Sequence, residues 1–253
     1  MTKKQNSNVP AIIVCILLFG MISFVTNLAS PMGDVLKNQF GVPNWMGTLG
    51  VLCNFIAYAV MGIPAGNMLQ NLGYKKTALI AVAVGFAGVG IQTIAGLLAG
   101  NAAFGVYLLG AFVAGFSMCM LNIVVNPMLN KLAGGGNKGN QLVQLGGSCN
   151  SVGGTIAPIL LGYLIGGQAS EATVADAAPA LIIAMAIFAV AFVVIYFSNI
   201  PEPHMETPEE KAARLSGKAK KDPHGPMSFR HFVLGAIAIF FYVGVEVGIP
   251  NTA

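Results

Sequence analysis

The chain has 253 residues, of which 55% are hydrophobic and only 9% are charged. Soluble domains have roughly a quarter of their residues charged, so this composition excludes an ordinary soluble protein and predicts a membrane protein. The formal net charge is +4. The positions of the basic residues, taken up below, explain this excess by membrane topology and make nucleic acid an improbable partner.

Several windows without a charged residue are long enough for membrane helices, since a bilayer core needs about 20 apolar residues per helical span. They predict an all-α membrane protein with a bundle of six complete spans, near residues 9–36, 45–69, 76–99, 104–130, 141–166 and 178–198. A partial seventh span begins near Phe229. The predicted divisions are therefore a six-helix transmembrane bundle, a cytoplasmic linker with a short helix, and the partial seventh helix, at 1–198, 199–228 and 229–253.

Span one ends in "SPMGDVLKNQF", residues 30–40, after a long charge-free run. Asn27, Ser30 and Asp34 are three and four residues apart and therefore share one face of a helix. A carboxylate in or near the hydrocarbon is costly and normally faces a protein cavity, where it marks a path for ions or protons. The alternative is that the helix ends by Pro31 and that Asp34 lies in the outer loop with Lys37 as its partner.

Span four contains "CMLNIVVNPML", which places Asn122 and Asn126 on one helical face. Amides donate and accept hydrogen bonds, which suits the hydroxyl groups of a sugar. They equally suit contacts between membrane helices, where polar side chains commonly join neighbours. The sequence leaves both interpretations open.

Span five has a continuous polar stripe at spacings of four, three and four, formed by Gln144, Ser148, Ser151 and Thr155. Asn150 lies off that stripe. Small residues let two helix backbones approach each other closely. Four glycines of this span predict such an approach: Gly146, Gly147, Gly153 and Gly154. Polar stripe and glycines together predict a helix that lines a cavity.

Span seven carries Glu246 well inside its apolar part, where a carboxylate again requires a partner or a cavity. No nucleophile elbow, HExxH zinc motif or phosphate-cradling glycine loop is present, and no histidine falls in a complete span. The four cysteines lie in predicted spans without metal-ligand spacing and are interpreted as small packing residues. The sequence therefore predicts no cofactor, no metal and no enzymatic activity.

Basic residues predict the orientation, because lysine and arginine are enriched in cytoplasmic loops. With the N-terminus inside, twelve of the thirteen fall on the cytoplasmic side: Lys3, Lys4, Lys75, Lys76, Lys131, Lys138 and the six from Lys211 to Arg230. Only Lys37 lies outside. This distribution predicts a multi-pass protein with a cytoplasmic N-terminus.

Five stretches, in this order along the chain, resemble landmarks of the fucose permease and glucose/galactose transporter group of the major facilitator superfamily: "GDVLKNQFGV", "GIPAGNMLQNLGYKK", "LNIVVNPMLNKL", "CNSVGGTIAPILLG" and "FFYVGVEVGI". The resemblance implies a twelve-helix carrier that works by alternating access, of which this chain has the first six spans and part of the seventh. It also implies that sugar entry is coupled to a cation, usually a proton.

By position, Asp34 matches the family's helix-one aspartate, which implies contact with sugar and a response to protonation. The sequence departs from the permease elsewhere. Asn122 stands where the permease has a protonatable glutamate, and Gly147 where it has a glutamine, with Gln144 one turn away. Glu246 stands where the permease has an amide and is a candidate for the compensating acid.

We therefore expect a monosaccharide symporter of a bacterial inner membrane, coupled to protons or, alternatively, to sodium. Asp34 would be the proton and sugar site, with hydrogen bonds from Asn27, Asn122, Asn126, Gln144 and Asn150. The second hypothesis is a truncated or half-size membrane protein without transport of its own, acting as a dimerising half or an interaction subunit. A third is a channel-like pore. The last residue, Ala253, falls within a predicted span, from which we expect that a C-terminal half is missing.

Overall fold

The computed structural model describes residues 9–98, 101–166, 172–198, 200, 202 and 228–252. Their regular structure is helical, as predicted: α1 (Val9–Phe40), α2 (Asn44–Gly47), α3 (Leu49–Ala95), α4 (Asn101–Leu132), α5 (Gly136–Leu164), α6 (Ala178–Phe197) and α7 (Arg230–Thr252). The chain divides into two compact units, residues 1–205 and 206–253. The first unit holds α1 to α6, and the second holds α7.

Four helices of the described residues are long and apolar enough to cross a membrane, namely α1, α3, α4 and α6. The 47 residues of α3 would measure roughly 70 Å as one straight helix, more than twice the ~30 Å of a bilayer core. A break at Gly73, where φ is 81° and ψ is 176°, divides α3 into two spans. Glycine populates this left-handed region without steric cost, which explains the residue at the turn.

The remaining predicted span is α5, whose 29 residues are long enough to cross a bilayer. It is absent from the four strongly apolar helices because its polar stripe and glycines lower its hydropathy. The six predicted spans thus correspond to α1, the two parts of α3, α4, α5 and α6. This arrangement confirms the all-α, six-helix membrane bundle.

The end of α1 corrects one of the two sequence interpretations. The helix continues through Pro31 as far as Phe40, so Asp34 and Lys37 belong to its last two turns. The alternative that the helix ends by Pro31 is wrong. A proline inside a membrane helix is tolerated where neighbouring groups satisfy the backbone carbonyl that it frees.

Glycines allow the helices of the first unit to pack at very short distances. A Cβ atom on Gly88 of α3 would lie 2.5 Å from the backbone nitrogen of Ala114 on α4. One on Gly115 of α4 would lie 2.8 Å from the carbonyl oxygen of Asn54. Close van der Waals packing of this kind stabilises the association of membrane helices, because the hydrophobic effect contributes little between helices that lipid already surrounds.

Glu202 joins the end of α6 to the break in α3. Its carboxylate accepts hydrogen bonds from the backbone N–H groups of Tyr74 (2.7 Å) and Lys75 (2.8 Å). The Lys75 ammonium in turn donates to the carbonyl of Ser198 at 2.8 Å. The carboxylate therefore caps the free N–H groups at the start of the second part of α3, where the helix dipole also favours negative charge. The predicted linker, 199–228, otherwise lies outside the described residues except for Ile200 and Ser228.

At the opposite end of the bundle, residues 172–177 form the loop before α6. Val174 is buried there, and its N–H donates to Oε1 of Gln39 on α1 at 2.7 Å. Asp176 accepts hydrogen bonds from the hydroxyl of Thr173 (2.6 Å) and from its N–H (2.8 Å). These two bonds stabilise the ionised form and lower the pKa of the Asp176 carboxyl.

Candidate functional site

One face of α1 carries polar groups that the first unit leaves uncovered. Asn27 and Asp34 are exposed and Ser30 is partly exposed, in agreement with their predicted spacing on one face. The backbone here is held by α2, since a Cβ atom on Gly33 would lie 3.1 Å from the carbonyl oxygen of Gly47. A helix surface with a carboxylate is disfavoured against lipid hydrocarbon, so this face requires water or protein opposite it.

Asp34 differs from the other carboxylates of the first unit. Its described acidic residues are Asp34, Asp176 and Glu202. Both of the last two accept hydrogen bonds from backbone N–H groups, Asp176 in the loop before α6 and Glu202 at the break in α3. In the described part of the chain no hydrogen bond or ion pair reaches Asp34, and the pairing with Lys37 that the alternative interpretation included is absent there. Asp34 is thus the carboxylate of this set that remains available to a ligand or a proton.

Asn27 lies at the contact between α1 and α5. Its Nδ2 donates to the carbonyl of Ser23 (2.9 Å) and to the Ser23 hydroxyl (3.1 Å). A Cβ atom on Gly154 of α5 would lie 2.9 Å from both Asn27 Nδ2 and Ser23 Oγ. Because Gly154 has no side chain, the Asn27 amide has room at this position. Gly154 is followed in the sequence by Thr155 of the polar stripe.

The polar stripe of α5 is open along its length, with Gln144, Ser148, Ser151 and Thr155 all exposed. Each hydroxyl donates to the carbonyl four residues earlier: Ser148 to Gln144 at 3.2 Å, Ser151 to Gly147 at 3.2 Å, and Thr155 to Ser151 at 3.0 Å. Their oxygen lone pairs stay available as acceptors. Asn150, off the stripe, is partly buried.

Asn122 and Asn126 of α4 form a connected pair, as their spacing predicts. Nδ2 of Asn126 donates to the backbone carbonyl of Asn122 (3.0 Å) and lies 3.4 Å from its Oδ1. Nδ2 of Asn122 donates to the Tyr58 hydroxyl on α3 at 3.0 Å and to the Met118 carbonyl at 3.1 Å. The Asn122 amide therefore makes the contact between helices that was one of its two interpretations.

Tyr58 and Thr26 were missed by the sequence reasoning. The Thr26 hydroxyl of α1 is buried, lies near the Tyr58 hydroxyl, and has no hydrogen-bond partner in the described part of the chain. Polar groups of α1, α3 and α4 thus meet at one place. The available signal was a tyrosine within the predicted span 45–69, because a buried tyrosine hydroxyl usually has a polar partner.

Not all predicted residues are brought together. Asp34 is linked by no hydrogen bond to the Asn122 and Asn126 pair among the described residues. Glu246 belongs to α7, but its side chain lies outside the described residues. The four cysteines are free thiols, and no group of three potential metal ligands occurs in the described part of the chain.

Comparison with known proteins gives a family match over most of the chain. The model of the Major Facilitator Superfamily matches residues 12–251. A glucose/galactose transporter of Brucella abortus biovar 1 (strain 9-941) is 30% identical over 252 residues, which cover 99% of this chain and 59% of that protein. A relative in Helicobacter pylori is 29% identical over 259 residues, covering 98% of this chain and 60% of its own length. The chain therefore spans about 60% of the length of these relatives.

Two solved structures share the fold. A variant of the peptide transporter POT in complex with alafosfalin superposes with a TM-score of 0.56 at 14% identity, over 96% of this chain and 50% of that chain. The same transporter in complex with sulfate gives a TM-score of 0.51 at 14% identity, over 97% and 47%. At this identity the likeness concerns the fold alone.

Proposed function

The chain belongs to the major facilitator superfamily, and from that premise we propose that it is part of a carrier that moves a monosaccharide across the membrane together with a cation. The proton is the proposed cation and sodium the alternative. The sugar is supported by the glucose/galactose transporter of Brucella abortus, to which the chain is 30% identical. Because the chain spans only about 60% of the length of these relatives, transport is proposed for a longer carrier that contains it.

The observation that carries the proposal is the open carboxylate of Asp34 on a continuous helix. α1 passes through Pro31 without ending, so Asp34 lies on the same face as Asn27 and is exposed. Of the groups on this face, a carboxylate is the one that gains or loses a proton, whereas amides keep their charge state. Proton uptake at Asp34 would change the hydrogen bonds that this face offers to a sugar hydroxyl.

The amides supply the rest of the proposed sugar site. Asn27 lies at the contact with Gly154 of α5, and both Asn27 and the stripe, which begins at Gln144, are exposed. The Asn122 and Asn126 pair and Asn150 would contribute further donors and acceptors. Glu246 is proposed as a second acid of the complete carrier. Alternating access requires a second helix bundle that rocks against the first around a shared site.

The proposal also includes the orientation of the chain and the membrane in which it lies. Four lysines lie at one end of the bundle, close to the break in α3 or to the ends of α4 and α5: Lys75, Lys76, Lys131 and Lys138. By the positive-inside rule we assign that end to the cytoplasm. We propose a cytoplasmic N-terminus on this ground, and a location in the inner membrane of a bacterium. Cysteine labelling of loop residues in intact cells would test this orientation.

The test of function uses the complete carrier, purified and reconstituted in liposomes, with radiolabelled glucose and galactose. Uptake is measured with a pH gradient, with a sodium gradient, and as counterflow without either. For Asp34→Asn we expect the accumulation driven by the pH gradient to fall until sugar concentrations inside and outside are equal, because an amide cannot take up the coupled proton.

Asp176→Asn is the matched control, since it makes the same chemical change in a loop at the end of the bundle. It should accumulate sugar like the unchanged carrier. If Asp34→Asn leaves both counterflow and proton-driven accumulation unchanged, the assignment of Asp34 is wrong. Accumulation driven by sodium alone would replace the proton with sodium as the coupling ion.

A further inference from the structure

A deep apolar groove runs between α1, α5 and α6, away from the polar face described above. Its volume is about 590 Å³. The floor lies where Gly20 of α1 meets Gly153 of α5, and α6 forms the opposite wall around Ile187. The residues that line it are aliphatic, aromatic or glycine, apart from the thioether of Met21 and the thiol of Cys149, and none has a charged, hydroxyl or amide side chain.

The dimensions of the groove fit an extended hydrocarbon chain. On α1 the lining extends from Val14 to Phe24, which is roughly 15 Å along a helix, or half of a ~30 Å bilayer core. On α6 it extends from Ile183 to Ile195, roughly 18 Å. The volume of 590 Å³ is about four times the ~150 Å³ of an apolar cavity that holds one benzene ring. The groove is therefore as deep as one leaflet and has room for a chain.

A positive charge lies beyond the end of this groove, on the helix face that lines it. Lys138 is exposed and precedes Cys149 by eleven residues, about three turns, so the two share one face of α5. Exposed aromatic side chains mark the same end of α6, where Tyr196 and Phe197 pack edge to face with ring centroids 5.3 Å apart. Aromatic residues of this kind collect at the membrane–water interface.

We propose that the groove binds one acyl chain of an anionic phospholipid, whose phosphate is held by Lys138 at the basic end of the bundle. At this depth the helices are surrounded by lipid hydrocarbon. A dry apolar groove that is open to the bilayer is therefore filled by the acyl chain of a lipid. The lysine supplies the complementary charge that selects the headgroup. The lipid would fill the space between α5 and α6, which pack on each other only sparsely, and so support the wall of α1 and α5.

The test uses the whole chain reconstituted in nanodiscs of phosphatidylglycerol and phosphatidylethanolamine, with a trace of phosphatidylglycerol that carries a diazirine in mid-chain. After illumination, the crosslinked peptides are mapped by mass spectrometry. We expect the crosslinks to concentrate on groove residues, Cys149 among them.

Two valines of α6 give a matched pair for this experiment. Val190 lines the groove and is 62% exposed, whereas Val193 lies outside it and is 53% exposed. Val190→Trp should lower groove crosslinking at least fivefold, because the indole fills the space of the chain, and Val193→Trp should leave it unchanged. Equal effects of the two substitutions, or crosslinks spread evenly over the exposed apolar residues, would show an ordinary lipid annulus and overturn the site. An absence of crosslinks from the groove residues would also overturn it, and would leave the groove to a protein occupant.

The headgroup part of the proposal has a separate readout. Lys138→Gln should reduce the preference for phosphatidylglycerol over phosphatidylethanolamine about fivefold, which corresponds to ~1 kcal/mol per basic residue at a lipid surface. Lys76→Gln removes another exposed lysine from a different helix and should keep the preference. If Lys138→Gln and Lys76→Gln behave alike, Lys138 does not hold the phosphate.

Discussion

The contact between α1 and α5 gives the sharpest quantitative prediction, because one glycine of α5 is tightly packed against α1 whereas another has open space around it. A Cβ atom on Gly153 would lie 2.5 Å from the carbonyl oxygen of Gly20, whereas one on Gly147 would meet nothing within 4 Å. Gly153→Ala and Gly147→Ala are therefore the same chemical change on the same helix. Both gain up to ~1 kcal/mol of helix propensity, so their difference reports the contact alone.

The expected difference follows from the distances. Ordinary contact of a Cβ atom begins near 3.4 Å, so Gly153→Ala must move α1 and α5 apart by roughly 1 Å, and overpacking of this kind costs about 1–3 kcal/mol. We expect Gly147→Ala to be neutral or slightly stabilising. Gly153→Ala should unfold roughly 2–12 °C lower than Gly147→Ala, since about 1 kcal/mol corresponds to 2–4 °C for a chain of this size.

The assay is thermal unfolding in detergent, followed with a dye that becomes fluorescent on reaction with thiols. Cys15 is fully buried on α1 and is therefore labelled only when the helices separate. The refuting result is a Tm for Gly153→Ala that equals the Tm of Gly147→Ala within error. Such a result would mean that α1 and α5 do not touch at Gly20. The positions assigned to Asn27 and the polar stripe, which depend on this contact, would then also be wrong.

Two further substitutions address contacts that cross between helices. Tyr58→Phe removes the hydroxyl that accepts from Asn122 at 3.0 Å, and we expect a loss of about 0.5–1.5 kcal/mol in an unfolding titration with sodium dodecyl sulfate. Glu202→Gln removes the charge that caps the N–H groups of Tyr74 and Lys75. The expected loss is about 0.5–2 kcal/mol, and hydrogen exchange at those two amides should accelerate.

Each of these substitutions has its own check. Tyr163→Phe removes an equivalent hydroxyl from a side chain that is 83% exposed, and its unfolding should match that of the unchanged protein. A Tyr58→Phe protein as stable as Tyr163→Phe would contradict the contact with Asn122. For Glu202, the alanine substitution removes both acceptor oxygens and should destabilise more than glutamine. No increase in amide exchange with either variant would rule out the cap.

The sequence by itself determined the fold class and the order of the membrane helices. Charge-free runs depend on local composition, because a span must supply its apolar length and its backbone hydrogen bonds within one segment. Helical spacing alone predicted that Asn27 and Asp34 share one face. It also predicted the stripe from Gln144 to Thr155.

Only the tertiary structure decided which of these residues meet across helices. It showed that α1 continues past Pro31, that Asn122 bonds Tyr58, and that Glu202 caps a helix well over a hundred residues earlier in the chain. It also separated Gly153, in tight contact, from Gly147, in open space, although both looked alike in the sequence. The physical reason is that helical spacing fixes which residues share a face, whereas their partners depend on the crossing point and rotation of a second helix.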